Sequence, residues 1–123
     1  MPFEITREKR GSYKRFSGFV TNAELLQSVF ENQSDPDYDR MVYTINDFLA
    51  VEGHCVDKET VHMVAAWGLG AAFINANIKL AILTTDPGIR ALVGGFTALT
   101  RYRLEFFTSV ENARAWLALS EDA

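Results

Sequence analysis

Hydrophobic and polar positions change period several times along this chain, most clearly in its last third. Lys79-Leu80-Ala81-Ile82-Leu83 is a short apolar run suited to a strand buried on both faces. Asp86-Pro87 then sets an N-cap carboxylate before a proline at the first helical position, where the missing N–H is not needed. Arg101-Tyr102-Arg103-Leu104-Glu105-Phe106 alternates polar and apolar side chains, which predicts another strand. Thr108-Ser109-Val110-Glu111 reads as a capping box, with Thr108 as the N-cap of a final helix. Upstream, Phe3–Glu8 and Tyr13–Val20 read as strands joined through Lys9-Arg10-Gly11-Ser12 into an antiparallel hairpin. Thr21-Asn22-Ala23-Glu24 is a second capping box, and Leu26, Val29 and Phe30 line one face of the helix it starts. Ser34-Asp35-Pro36-Asp37 closes that helix. Met41–Phe48 reads as a third strand with Asp47 near its carboxyl end, Leu49 to Val56 as a loop, and Asp57 to about Asn77 as the longest helix. This β–α alternation predicts an α/β fold in one domain over residues 1–123. It has five strands in a mixed, mostly parallel sheet that opens with the hairpin, and four helices.

The long helix carries an unusual pattern. From Thr60 to Ile78 there is no charged side chain, with His62 neutral. Val61, Val64, Ala65, Gly68, Leu69, Ala72 and Phe73 form one broad apolar face, enough to cover a sheet. Met63, Trp67, Gly70 and Ile74 form a second stripe on the opposite side, where a surface helix should be polar. Two arrangements account for it: burial under a neighbouring element of the same chain, or an exposed patch for self-association or an apolar ligand. In the next helix Ala91, Gly94, Gly95 and Ala98 make a stripe with almost no side chain. Two mid-helix glycines cost roughly 1 kcal/mol each against alanine, so close backbone approach is expected there.

Hydrophobic content of 48% with 23% charged residues suits a water-soluble globular fold. The net charge of −4 is unevenly spread. Arg7, Lys9, Arg10, Lys14 and Arg15 face only Glu4 and Glu8 within the first twenty residues, a local +3 that leaves −7 on the rest. The expected role of this basic hairpin is solvated charge on an edge, which discourages strand-to-strand aggregation. Contact with an anionic membrane would be peripheral at most, and the acidic body excludes duplex nucleic acid as a partner. The opening Met1-Pro2-Phe3-Glu4 lacks a basic-then-apolar signal pattern, so a cytoplasmic location is expected.

Candidate chemistry is sparse. His54, Cys55, Asp57 and His62 match no standard metal-ligand spacing, so no metal and no cofactor is expected. Cys55 and His54 are adjacent and lack an orienting third group, so no catalytic residue is assigned. Gly68-Leu69-Gly70 and Gly94-Gly95 lie within helices and cannot cradle phosphate as a loop does. Thr84, Thr85 and Gly88 surround a strand end that feeds a helix start, a candidate anion site in which Asp86 competes as the cap. A small-molecule site at the carboxyl ends of the strands would draw on Asp47, the 49–57 loop, Thr84, Thr85 and Thr108.

The pattern resembles the SpoIIAA-like group, which comprises STAS domains and relatives that share a fold with CRAL-TRIO lipid-transfer domains. The resemblance rests on Arg15-Phe16-Ser17-Gly18-Phe19-Val20-Thr21, on Ile45-Asn46-Asp47-Phe48 with Val51 following, and on Leu80-Ala81-Ile82-Leu83-Thr84 before Asp86-Pro87. Glu111-Asn112-Ala113-Arg114-Ala115-Trp116-Leu117 completes it, and the chain is most similar to stand-alone bacterial members. Antagonist STAS domains carry a phosphorylatable serine just after the third strand. Glu52 to Glu59 holds no serine or threonine, and Thr60 is the nearest hydroxyl. The resemblance therefore implies a non-enzymatic interaction module without that switch. It would engage a protein partner or a second copy as a homodimer through Met63, Trp67, Gly70 and Ile74. The alternative is a small carrier that holds an apolar or lipid-like ligand between the long helix and the Gly94-Gly95 helix.

Overall fold

The computed structural model describes residues 3–75, 77–100 and 102–121, the last three without their side chains. Among them are strands β1 (Phe3–Arg7), β2 (Gly11–Val20), β3 (Tyr43–His54), β4 (Lys79–Leu83) and β5 (Arg103–Phe107). The α-helices are α1 (Asn22–Gln33), α2 (Lys58–Ala71), α3 (Pro87–Leu99) and α4 (Val110–Glu121), with a 3-10 turn at Tyr38–Arg40. The strands form one sheet in the order β1-β2-β3-β4-β5. β1 and β2 pair antiparallel, and every later pair is parallel. This is the mixed, mostly parallel sheet that the alternation predicts.

Each parallel strand is added on the same side of its predecessor. Crossovers of one hand then bring α1, α2 and α3 to one face of the sheet. The other face belongs to α4, whose Ala113 and Leu117 pack on Tyr43, Ile45, Ala81 and Leu83. Glu8, at the hairpin turn, receives a bidentate ion pair from Arg114 of α4 at 2.8 and 3.1 Å and a hydrogen bond from the Tyr43 hydroxyl. The guanidinium, more than any other group, holds the Glu8 carboxyl below its usual range.

Several elements differ from the sequence expectation, each for a physical reason. β3 runs to His54, so most of the predicted 49–57 loop is strand. Its extension pairs with β2 through Ala50, Val51, Gly53 and His54, past register shifts at Arg15/Ser17 and Gly18/Phe19. Gly18 takes φ +66° at the second shift, a conformation in which a side chain would be strained. α2 ends at Ala71, short of Asn77, because the chain tightens through Phe73 N–H to Gly70 O and Ile74 N–H to Ala71 O. The Asn75 amide, donating to Tyr38 O and Met41 O at 2.9 and 2.6 Å, draws the segment away from the helix axis. Phe73 thus leaves the helix and stands exposed; Leu69, within α2, and Phe30 on α1 are exposed as well, against the expectation that they cover the sheet. Residue 101, where the fifth strand was expected to start, lies outside the described residues.

Capping at the last helix shifts by one residue. The Asn112 amide bonds to Ser109 Oγ at 3.3 Å, which makes Ser109 the N-cap in place of Thr108. Ser109→Ala should therefore lower stability by about 1 kcal/mol. Thr108→Ala should leave the urea midpoint unchanged, and equal effects of the two would contradict the assignment.

Candidate functional site

Strand alternation decides which β2 side chains meet the three-helix layer. Phe16 is fully buried, its ring stacked 4.6 Å from that of Phe48. Lys14 and Ser12, two and four positions earlier, must face the same way. Lys14 is accordingly 4% exposed, a buried residue rather than part of a solvated basic patch. The patch is reduced further where Arg7 pairs with Asp35 at 3.1 Å. Across the sheet, Ile5, Lys14, Asn46, Ile82 and Phe106 form one continuous row. An ammonium and an amide therefore sit side by side on an otherwise apolar floor.

Between this floor and the helices lies a cavity of about 150 Å³. Its roof is Val61 and Val64 of α2 with Ile89, Leu92, Val93 and Phe96 of α3, and Leu25, Val29, Asn32 and Gln33 of α1 contribute a wall. A space of this size, half open to solvent, holds a benzene-sized guest. Tyr102 closes one end by donating its hydroxyl to Gly68 O at 2.5 Å and stacking on Phe96. A β-carbon on Gly68 would stand 3.2 Å from the Tyr102 ring, so a glycine there lets the ring approach α2. Burial raises the pKa of both Tyr102 and its neighbour Tyr38.

The polar groups in the cavity wall divide into satisfied and unsatisfied. Ser12 Oγ donates to Asn32 Oδ1 at 2.7 Å, and Asn32 Nδ2 donates to Thr44 Oγ1 at 3.2 Å, which closes a small network. Lys14 has no such partner. Among the described residues no carboxylate lines the cavity, and the ammonium lies over the Phe16 ring, 5.5 Å from its centroid. Burial pushes the Lys14 amine down to about 7. The side-chain amide of Asn46, adjacent in the sheet, makes no hydrogen bond among the described residues.

The face under α4 is different. Tyr13 donates its hydroxyl to Asp47 at 2.5 Å and is pushed up to about 12, first by burial and then by that carboxylate. Asp47 also accepts the Leu49 amide at 2.9 Å. This network is internally complete.

The residues singled out from sequence do not meet in one place. Met63 and Ile74 are 46% and 62% exposed, Gly70 is open, and Trp67 is half-buried; Met63, Trp67 and Gly70 lie on α2 and Ile74 in the turn after it, and none lines the cavity. Gly94 and Gly95 are exposed on α3, although a β-carbon on Gly95 would lie 3.9 Å from Val61, which places that glycine at the contact with α2. Thr84 is buried, whereas Thr85, Gly88 and Thr108 are exposed. The Asp86 carboxylate takes the Gly88 amide at 2.7 Å, and Thr84 Oγ1 takes the Asp86 amide at 3.0 Å. His54 lines the cavity, while Cys55, Asp57 and His62 are exposed, and no group of three or more such ligands converges among the described residues. No helix among them is long and apolar enough to cross a membrane. Lys14 and Asn46 went unassigned. The signal was the alternation Ser12-Lys14-Phe16, which ties the lysine to the side of a buried aromatic.

No protein-family model and no curated protein matches the sequence. Solved structures do match in fold. The anti-sigma factor antagonist SpoIIAA in its unphosphorylated form aligns with a TM-score of 0.66 at 11% identity, over 94% of this chain and 97% of that one. A DUF3478-family protein with a SpoIIAA-like fold from Shewanella loihica PV-4 aligns with a TM-score of 0.50 at 17% identity, over 94% and 91%. The chain has the SpoIIAA-like fold, as the sequence pattern implied.

Lys14 gives a pH signature. With a folded pKa of about 7 against roughly 10.4 unfolded, the unfolded state binds more protons between those values, so stability rises with pH across that window. Relative to Lys14→Met, the wild type should gain roughly 2 kcal/mol between pH 7 and pH 9. Urea denaturation of both proteins at the two pH values checks this; parallel profiles would mean that the amine is not buried.

Proposed function

We propose that this chain is a non-enzymatic, cytoplasmic binding module that takes a small, largely apolar ligand into the cavity between its sheet and α2/α3. The observation that carries this reading is the cavity itself, about 150 Å³ and walled by aliphatic and aromatic side chains. The space is half open to solvent, and an apolar guest would cover apolar wall that water otherwise meets. The wall also carries polar groups, few and convergent, as in sites that orient a guest. The loop-borne serine of antagonist STAS domains has no counterpart, and Thr60 is buried while its amide bonds to Asp57 at 2.8 Å. The module therefore works without that phosphorylation switch.

Toluene or 1-hexanol at millimolar concentration should raise the melting temperature, since a ligand that binds only the native state stabilises it. Val93→Phe, which fills the cavity, should abolish that response. An unchanged melting temperature for the wild type with both ligands would contradict the reading.

The exposed apolar side chains of α2 and the turn after it favour a second role, self-association or partner binding. Phe73 is 95% exposed beside Ile74, with Met63 and Leu69 also open. Large apolar patches on a monomer mark interaction surfaces. Phe73→Asp should leave the circular dichroism spectrum intact and shift a dimer to monomer in size-exclusion chromatography. A wild type that elutes as a monomer at high micromolar concentration, with or without a cavity ligand, would remove the homodimer.

A further inference from the structure

We infer that the ligand of this cavity is a monocarboxylate with an apolar body of about six carbons, its head group held by Lys14 Nζ and the Asn46 side-chain amide. The inference rests on the binding reading above and specifies the head group. Lys14 is nine-tenths buried and more, lines the cavity, and has no carboxylate or hydrogen-bond acceptor among the described residues. An ammonium set among apolar walls without a counter-charge is unfavourable, and an incoming anion supplies what the fold omits. Asn46 is its cross-strand neighbour and also lacks a partner, so two N–H donors stand side by side on the sheet floor. A carboxylate, with two acceptor oxygens, matches that pair.

Other head groups fit less well. A phosphate monoester would bring nearly two negative charges to one lysine, and the cavity wall supplies no arginine. An alcohol would leave the ammonium uncompensated. The carbon count follows from the cavity of about 150 Å³, the volume that accommodates benzene.

Charge linkage adds a second signature. The other titratable groups that face the cavity are His54 of β3, Tyr38 of the 3-10 turn and Tyr102 ahead of β5; α1, α2 and α3 contribute none to the wall. Both tyrosines stay neutral well past pH 9 because burial raises them. A bound carboxylate holds Lys14 protonated, whereas the empty site releases the proton near pH 7. Binding then takes up a proton, and affinity falls by up to tenfold per pH unit above 7.

Titration calorimetry with hexanoate, 1-hexanol and hexyl phosphate tests this, using the wild type, Lys14→Met and Asn46→Leu. Hexanoate should bind the wild type at least tenfold more tightly than 1-hexanol or hexyl phosphate. Lys14→Met, which keeps the chain length and removes a buried charge, should reverse the preference between hexanoate and 1-hexanol. Asn46→Leu should weaken hexanoate several-fold, and the wild-type affinity for hexanoate should drop between pH 7 and pH 9. Equal binding of hexanoate and 1-hexanol, with no effect of Lys14→Met, would overturn the head group and leave the cavity reading in place. Tightest binding of hexyl phosphate would overturn the carboxylate in favour of a phosphate-headed ligand. If no probe binds the folded wild type and toluene also fails to stabilise it, both readings fall together.

Discussion

The period of two along β2 is the constraint on which the site depends. Phe16 must face the helices, because its ring stacks on Phe48 and meets Phe3 at a tilt in the core. Once that side chain is placed, Lys14 cannot be turned to solvent without turning Phe16 out as well. Transfer of an aromatic ring of that size from water is worth roughly 2–3 kcal/mol, and the pairing of β2 with both β1 and β3 adds to the hold on register. The strand therefore carries its lysine inward at an energetic cost that its neighbours offset. Among the described residues, no carboxylate in the cavity wall relieves it.

The two faces of the sheet treat their inward polar groups differently. On the α4 side, several polar groups that turn inward meet partners, Tyr13 with Asp47, Tyr43 with Glu8 and Glu8 with Arg114, while Lys79 is buried there without one among the described residues. On the three-helix side, Ser12, Asn32 and Thr44 satisfy one another, while Lys14 and Asn46 are left facing space. α2 and α3 meet each other closely where Gly95 approaches Val61, and their aliphatic side chains bridge above the floor without filling it. A polar pair beside an unfilled apolar volume is the arrangement of a site waiting for an amphipathic guest.

Much of the fold was legible in the sequence, because local signals agreed with one another. The capping box at Thr21 forms as written, Asp86 caps the helix that Pro87 opens, and β4 spans Lys79–Leu83. Misreadings arose where tertiary contacts outweigh local pattern. The chain after Phe48 looks like a loop, yet β2 is long enough to keep pairing with it through two register shifts. The apolar run after Ala71 looks helical, yet Asn75 finds two carbonyls near the 3-10 turn and ends the helix early. The candidate site was harder. Lys14 sits among Arg7, Lys9, Arg10 and Arg15, so composition groups it with surface charge. Its strand parity says otherwise, and a residue-by-residue reading of that parity would have put it beside Phe16. Asn46 carries no local mark at all; its meaning comes from a neighbour on another strand.

Lys14 is buried beside the cavity without a counter-charge among the described residues. Carbon-13 NMR of the lysine Cε resonances across pH 5 to 11, with Lys14→Met to assign the signal, measures this directly. A Lys14 midpoint near 7, moving up when a carboxylate ligand is added, is the result the account requires. A midpoint near the ordinary lysine value of roughly 10.4, unmoved by ligand, would contradict it.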